Sequence, residues 1–186
     1  MKKFIIAIAA LLLLANGAHA EKIAGVEIPE KMELCNQNLV LNGAGIRKKL
    51  WVKVYIGALY VENKSSSDTA LLNADESMAI RMHFVYDKVG ADDMVDSWSG
   101  SLGETSKDYM TQGQDRVEKF KALFNRDIVE NDKYDMVYAP DKGTTVFFND
   151  RELGSIEGLD FKKALFAVWL GDDPPNDALK EGMLGK

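Results

Sequence analysis

The chain has little of what usually marks covalent or metal chemistry. Cys35 is its only cysteine, so no internal disulfide can form, and it reads as a small buried apolar residue. There are two histidines, His19 and His83. No His-Glu-x-x-His, Cys-x-x-Cys or Gly-x-Ser-x-Gly pattern occurs, which removes familiar zinc, redox and serine-hydrolase signatures. His83 lies in a strand pattern without a second histidine and reads as a strand-face residue, not a metal ligand. No metal or other cofactor is expected. Asn42-Gly43-Ala44-Gly45-Ile46-Arg47 has two glycines but lacks the third glycine and the following helix of a phosphate loop. Asp92-Asp93 and Asp172-Asp173 belong to a chain with 29 acidic residues; such pairs mostly cap helices or sit in water. There are four prolines, no internal repeat, no low-complexity stretch and no linker long enough to divide the chain into separate domains.

The start of the chain is the exception to this plainness. Lys2 and Lys3 precede the 12 nearly unbroken apolar residues Phe4–Ala15, and Ala18-His19-Ala20 places small residues where a signal peptidase reads them. A spanning helix needs about 20 apolar residues, so this run reads as an export signal over residues 1–20, cleaved after Ala20. The short signal suggests a bacterial chain and a periplasmic destination. No cysteine follows at a lipidation-like position, and nothing after Ala20 is apolar enough to span a membrane. The expected mature chain is one domain over residues 21–186. Without Lys2 and Lys3, 21 of the 23 basic residues remain against 29 acidic ones, a formal charge of −8. That balance excludes a nucleic-acid partner, which needs a basic footprint.

Periodicity supplies the elements. Residues 21–35 read as extended, Asn38–Leu41 as a short strand, and Asn42–Gly45 as a turn, because Asn and Gly tolerate positive φ. From Ile46 to Glu62 the pattern has period two, which predicts a long strand or two strands with a bend. Asp68–Ala74 suits a short helix capped by Ser66 or Ser67. Met78–Tyr86 alternates again. A helix beginning at Gly90 carries Met94, Trp98 and Leu102 at i, i+4, i+8, and a second carries Val117, Phe120, Leu123 and Phe124. Three short strands follow, around Tyr134–Tyr138, Thr145–Phe148 and Leu153–Ile156. A helix over Asp160–Leu170 ends at Gly171, and Asn176 or Asp177 caps a last short one. Strands, helices, a β-meander and helices again make an α+β layout: a mostly antiparallel sheet with helices packed on one face.

Within the long alternating stretch, Arg47 and Tyr55 share one parity. An arginine offers five fixed donors and a permanent charge, and a tyrosine adds a sixth donor; on an apolar face the two would hold a carboxylate or an enolate oxygen. The residues alone leave the plainer reading open, with Arg47 on a surface acid and Tyr55 in the core. Eight residues of straight strand also span roughly 26 Å. The two therefore meet at one ligand only if the chain turns between Lys48 and Trp51.

Asn42-Gly43-Ala44-Gly45-Ile46-Arg47 followed by Lys53-Val54-Tyr55-Ile56-Gly57-Ala58-Leu59-Tyr60-Val61-Glu62 resembles the opening motif of the chalcone isomerase-like family. Gly154-Ser155-Ile156, Phe161–Gly171, Leu179-Lys180 and Leu184-Gly185 resemble its end. The resemblance implies an open-faced β-sandwich, a large antiparallel sheet covered on one face by helices, with a cleft between the layers. It implies two activities within the family: intramolecular cyclisation of chalcones, and binding of fatty acids without catalysis. Arg47 matches the family arginine that faces the substrate oxyanion or the fatty-acid carboxylate. Tyr55 falls where the enzymes have a catalytic threonine and the fatty-acid binders a tyrosine. The enzymes' tyrosine and asparagine on the first long helix have no counterpart in Gly90–Glu104, and Val168 stands near a position that is Ser or Thr in the enzymes.

The expected protein is therefore a periplasmic, non-catalytic binder of a small apolar anion such as a fatty acid. Arg47 and Tyr55 are its ligand-binding residues, no residue is assigned as catalytic, and Trp98, Leu102 and Trp169 are candidate cleft walls. A chalcone isomerase-type lyase and an envelope scaffold without a ligand are the alternatives.

Overall fold

The computed structural model describes residues 21–110 and 113–186. The expected export signal, residues 1–20, lies outside them. The elements in chain order are β1 (Glu21–Ile23), β2 (Val26–Ile28), β3 (Lys31–Leu34), β4 (Gln37–Lys49), β5 (Val52–Val61), α1 (Asp68–Asn73), β6 (Met78–Phe84), β7 (Lys88–Val89), α2 (Ala91–Tyr109), α3 (Gln114–Lys121), β8 (Ile128–Val129), β9 (Lys133–Ala139), β10 (Gly143–Phe148), β11 (Arg151–Ile156), α4 (Leu159–Leu170) and α5 (Asp177–Met183). Seven strands form one antiparallel sheet in the order β11-β10-β9-β6-β5-β4-β3, while β1-β2 and β7-β8 are separate two-stranded ribbons. The N-terminal segment that reads as extended is thus two strands of a small hairpin and an edge strand.

Period-two alternation sorts the side chains. Leu59, Ile80, Met82, Phe84, Tyr134 and Met136 join the residues of α2, α3 and α4 in the main core. The opposite face carries a smaller apolar cluster, in which Ile56, Tyr60 and Val137 meet Ile28 and Met32 of the N-terminal strands. The α+β layout expected from the element order is what forms, and the helices lie against one face of the sheet.

Helix α4 is largely apolar beyond its first turn, as suits a helix packed between other elements: nine of its residues are buried. Lys162 is one of them, fully buried, and its ammonium donates to the carbonyls of Leu71, Leu72 and Ala74 at 2.7, 3.1 and 2.9 Å. It thereby satisfies the last carbonyls of α1, which have no partner within that helix. At the other end of α1, Ser67 accepts from the Ala70 amide, the cap expected from the sequence.

The first break in the expected pattern is at Asn42–Gly45, which is not a turn. β4 runs straight through it with Asn42 as the extra residue of a bulge: Leu41 pairs with Tyr60 and Gly43 with Leu59. The alternation changes phase there, as a bulge requires. Leu39 and Leu41 face the outer cluster before it, and Ala44 and Ile46 after it. Gly43 and Gly45 then face α5, which comes so close that a Cβ on Gly43 would lie 2.2 Å from the Gly182 carbonyl oxygen. The glycines serve close approach rather than a turn. Asn42 locks the contact, with its amide donating to the Met183 carbonyl at 2.8 Å and its Oδ1 accepting from Ser65 N at 2.8 Å.

The actual turn is Leu50-Trp51, since Lys49 pairs with Val52. A second bulge follows: Lys48 pairs with Lys53 but Arg47 pairs with Tyr55, so Val54 is the extra residue. Cys35 is another correction. It is not a core residue but sits half-buried in the β3–β4 turn at φ +56°; burial pushes its thiol pKa up, away from a reactive thiolate.

Candidate binding site

Arg47 and Tyr55 are direct partners across β4 and β5. Direct antiparallel partners have Cβ atoms about 5 Å apart on one face of the sheet. The turn at Leu50-Trp51 removes the separation that a straight strand would impose. Their shared face looks into a cavity of about 700 Å³ between the sheet and α2 and α4, within the roughly 300–1,000 Å³ of small-molecule sites.

The cavity has two zones. Its floor is apolar and buried: Met82 and Phe84 from β6, Met94 and Trp98 from α2, Val168 and Trp169 from α4. Its rim is exposed and charged, with Lys49, Lys88, Asp93 and Asp173. Of the expected cleft walls, Trp98 and Trp169 line the cavity. Leu102 does not; one turn further along α2, it is fully buried in the core. His83 is on the opposite face of the sheet, across from Ile56, and takes no part. Among the described residues, no group of three or more His, Cys, Asp or Glu could hold a metal ion.

Tyr55 is 7% exposed, and its hydroxyl oxygen accepts from Trp169 Nε1 at 2.9 Å. Burial pushes its pKa up to about 12, opposed by the Trp169 hydrogen bond and the Arg47 charge. Tyr55 is therefore neutral at physiological pH. An indole N–H can only donate, so it occupies an acceptor position of the phenol and leaves the O–H free to donate. No protein acceptor for that proton occurs among the described residues. The Trp98 N–H is buried and likewise has no protein partner among the described residues.

Arg47 is half-buried. Its Nη1 donates to the Lys48 carbonyl and to Asn176 Oδ1, the latter at 3.3 Å. Asn176 Oδ1 also accepts from Lys48 N at 2.9 Å. Of Asn176 and Asp177, the two residues expected to cap α5, Asn176 occupies the N-cap position, but its side chain makes no cap bond; it holds the arginine instead. No carboxylate pairs with Arg47 among the described residues. The site thus presents a permanent cation and a neutral hydroxyl donor above an apolar floor, an arrangement suited to an anionic head group on an apolar body. Periodicity also gave no sign of Ser97 and Ser101, which line the cavity from α2; Ser101 is turned back on the Ser97 carbonyl at 2.8 Å.

A family model described as chalcone isomerase-like matches residues 20–185. Fatty-acid-binding protein 1 of Arabidopsis thaliana is 23% identical over 182 residues, which is 91% of this chain and 65% of that protein. The chain therefore spans about 65% of the length of that curated relative. A crystal structure of an Arabidopsis thaliana fatty-acid binding protein superimposes with a TM-score of 0.74 at 21% identity, covering 89% of this chain and 95% of the other. The shared architecture is the fold.

Proposed function

Since the chain belongs to the chalcone isomerase-like family, we propose that it is a non-catalytic binder of a fatty acid or similar apolar anion, working in the periplasm. The observation that carries this is the direct pairing of Arg47 with Tyr55 on the wall of an apolar-floored cavity. The carboxylate lies against the Arg47 guanidinium and the Tyr55 hydroxyl, and the chain lies on Phe84, Trp98 and Val168. Support comes from the relative named as a fatty-acid-binding protein. The tripartite start at Lys2-Lys3, Phe4–Ala15 and Ala18-His19-Ala20 supports export.

The test is native mass spectrometry of protein drawn from a periplasmic fraction, followed by extraction of the bound molecule and sequencing of the N-terminus. A fatty acid on a chain beginning at Glu21 is expected. Arg47→Ala should weaken palmitate binding at least about tenfold, the worth of a charge-assisted hydrogen bond, and leave the uncharged alcohol of the same chain length unaffected. If nothing co-purifies and palmitate neither binds nor raises the melting temperature, the proposal is wrong.

A further inference from the structure

Four of the five exposed large apolar side chains among the described residues gather at one place. Leu50 is 80% and Trp51 87% exposed at the β4–β5 turn, beside Val52 and Tyr86. Folding alone disfavours this tip on three counts. Leu50 adopts φ +58°, a conformation that suits Gly or Asn at a hairpin turn. Two large apolar groups stand in water. Lys48 and Lys53 are direct cross-strand partners, and like charges so placed repel.

The charge at the tip also runs against the rest of the molecule. Residues 46–61 contain Arg47, Lys48, Lys49 and Lys53 and no acidic residue, in a chain with 29 acidic residues. None of these four makes an ion pair with a described residue. The rim carboxylates of the same cavity, Asp93 and Asp173, come from α2 and the α4–α5 loop and pair with none of the four.

We propose that this tip docks the protein on an anionic phospholipid surface. Trp and Leu at a protruding turn flanked by lysines match the membrane interface, where indoles sit at head-group level and basic side chains meet lipid phosphates. A second copy of the chain fits poorly, because a two-fold contact would set one lysine cluster against the other. Leu50, Val52 and Tyr86 also line the cavity, so docking brings its mouth against the lipid. The consequence, loading directly from the bilayer, rests on the fatty-acid reading of the site; the docking does not.

The experiment uses the chain from Glu21 with vesicles of phosphatidylglycerol or phosphatidylcholine. Trp98 and Trp169 are 3% and 1% exposed, so a blue shift of the emission on vesicle addition reports Trp51. Co-sedimentation and a blue shift are expected with phosphatidylglycerol only. Trp51→Ser should weaken co-sedimentation at least about tenfold, the worth of one large apolar group. Lys53→Glu should weaken it about 25-fold, two charges at about fivefold each, and salt should mimic that loss. Both variants should keep the parent's melting temperature and its binding of cis-parinaric acid in vesicle-free buffer. Equal vesicle binding by variants and parent, or none by the parent, overturns the docking. So does burial of Trp51 without vesicles, through self-association or a protein partner. Vesicle binding without cis-parinaric acid binding supports the docking and removes the fatty-acid reading.

Discussion

Trp169 donates its indole N–H to the Tyr55 hydroxyl at 2.9 Å, joining α4 to the sheet inside the cavity wall. Both residues are buried, so Tyr55→Phe leaves the indole N–H without an acceptor. We expect a loss of about 1–3 kcal/mol in stability. A double-mutant cycle with Trp169→Phe in urea unfolding should give a coupling of about 1 kcal/mol or more. A coupling near zero would show contact without a useful bond.

Gly43→Ala should disturb both the fold and the site. The new Cβ would lie 2.2 Å from the Gly182 carbonyl oxygen and 2.8 Å from Gly185 N, backbone atoms that can move only with α5. A cost of at least about 1–3 kcal/mol follows from overpacking of this kind. Displacing α5 also moves Asn176, which accepts from Arg47. Melting curves and palmitate titration should therefore change together.

On the other face of the sheet, Arg81 and Asp135 form a buried bidentate pair, with Nε to Oδ1 at 2.6 Å and Nη2 to Oδ2 at 2.9 Å. Asp135→Asn leaves a buried guanidinium uncompensated, which costs about 3–5 kcal/mol. The double variant Arg81→Met with Asp135→Leu should recover most of it. Ligand affinity should be unchanged in the double variant, because Arg81 pairs with Ala58 on the face away from the cavity. Chemical denaturation and ligand titration read the two effects separately.

Stability should fall steeply in alkali. Burial raises the pKa of Tyr55, Tyr60 and Tyr134 to about 12, and that of Tyr138 further, aided by Asp75. An unfolded tyrosine titrates near 10. Between these values the folded state holds more protons than the unfolded state, so stability falls as pH rises. The contribution is complete below about pH 10 and is lost as pH climbs through the folded values. Urea melts across this range should show the decline, and phenolate absorbance should show these four titrating late while the protein stays folded.

Much of the layout was legible because it rests on spacing. Met94 and Trp98 fall on the buried face of α2, and Met82 and Phe84 on the helix-facing side of β6, as their intervals imply. What misled was any place where the backbone departs from regular alternation. Asn42-Gly43-Ala44-Gly45 has the composition of a turn, yet its glycines are required by a helix from the end of the chain. The real turn holds Leu50 and Trp51, residues that ordinary turn chemistry excludes, and so nothing local marks it. Arg47 and Tyr55 do share a face, but through cross-strand pairing and the Val54 bulge rather than equal parity along one strand. Asn176 reaches Arg47 across 129 residues, a contact that no local pattern encodes.

The Val54 bulge has a consequence for how the tip can be altered. Residues 48–53 pair within the sheet only with one another, beyond the break in the ladder, while Arg47 and Tyr55 belong to the regular ladder beneath it. The hairpin end is thus a separable module. Residues inserted there in matched pairs would lengthen the tip without re-registering the strands that carry Arg47 and Tyr55. The proposed lipid contact and the proposed anion contact can then be altered independently, although both belong to the same two strands.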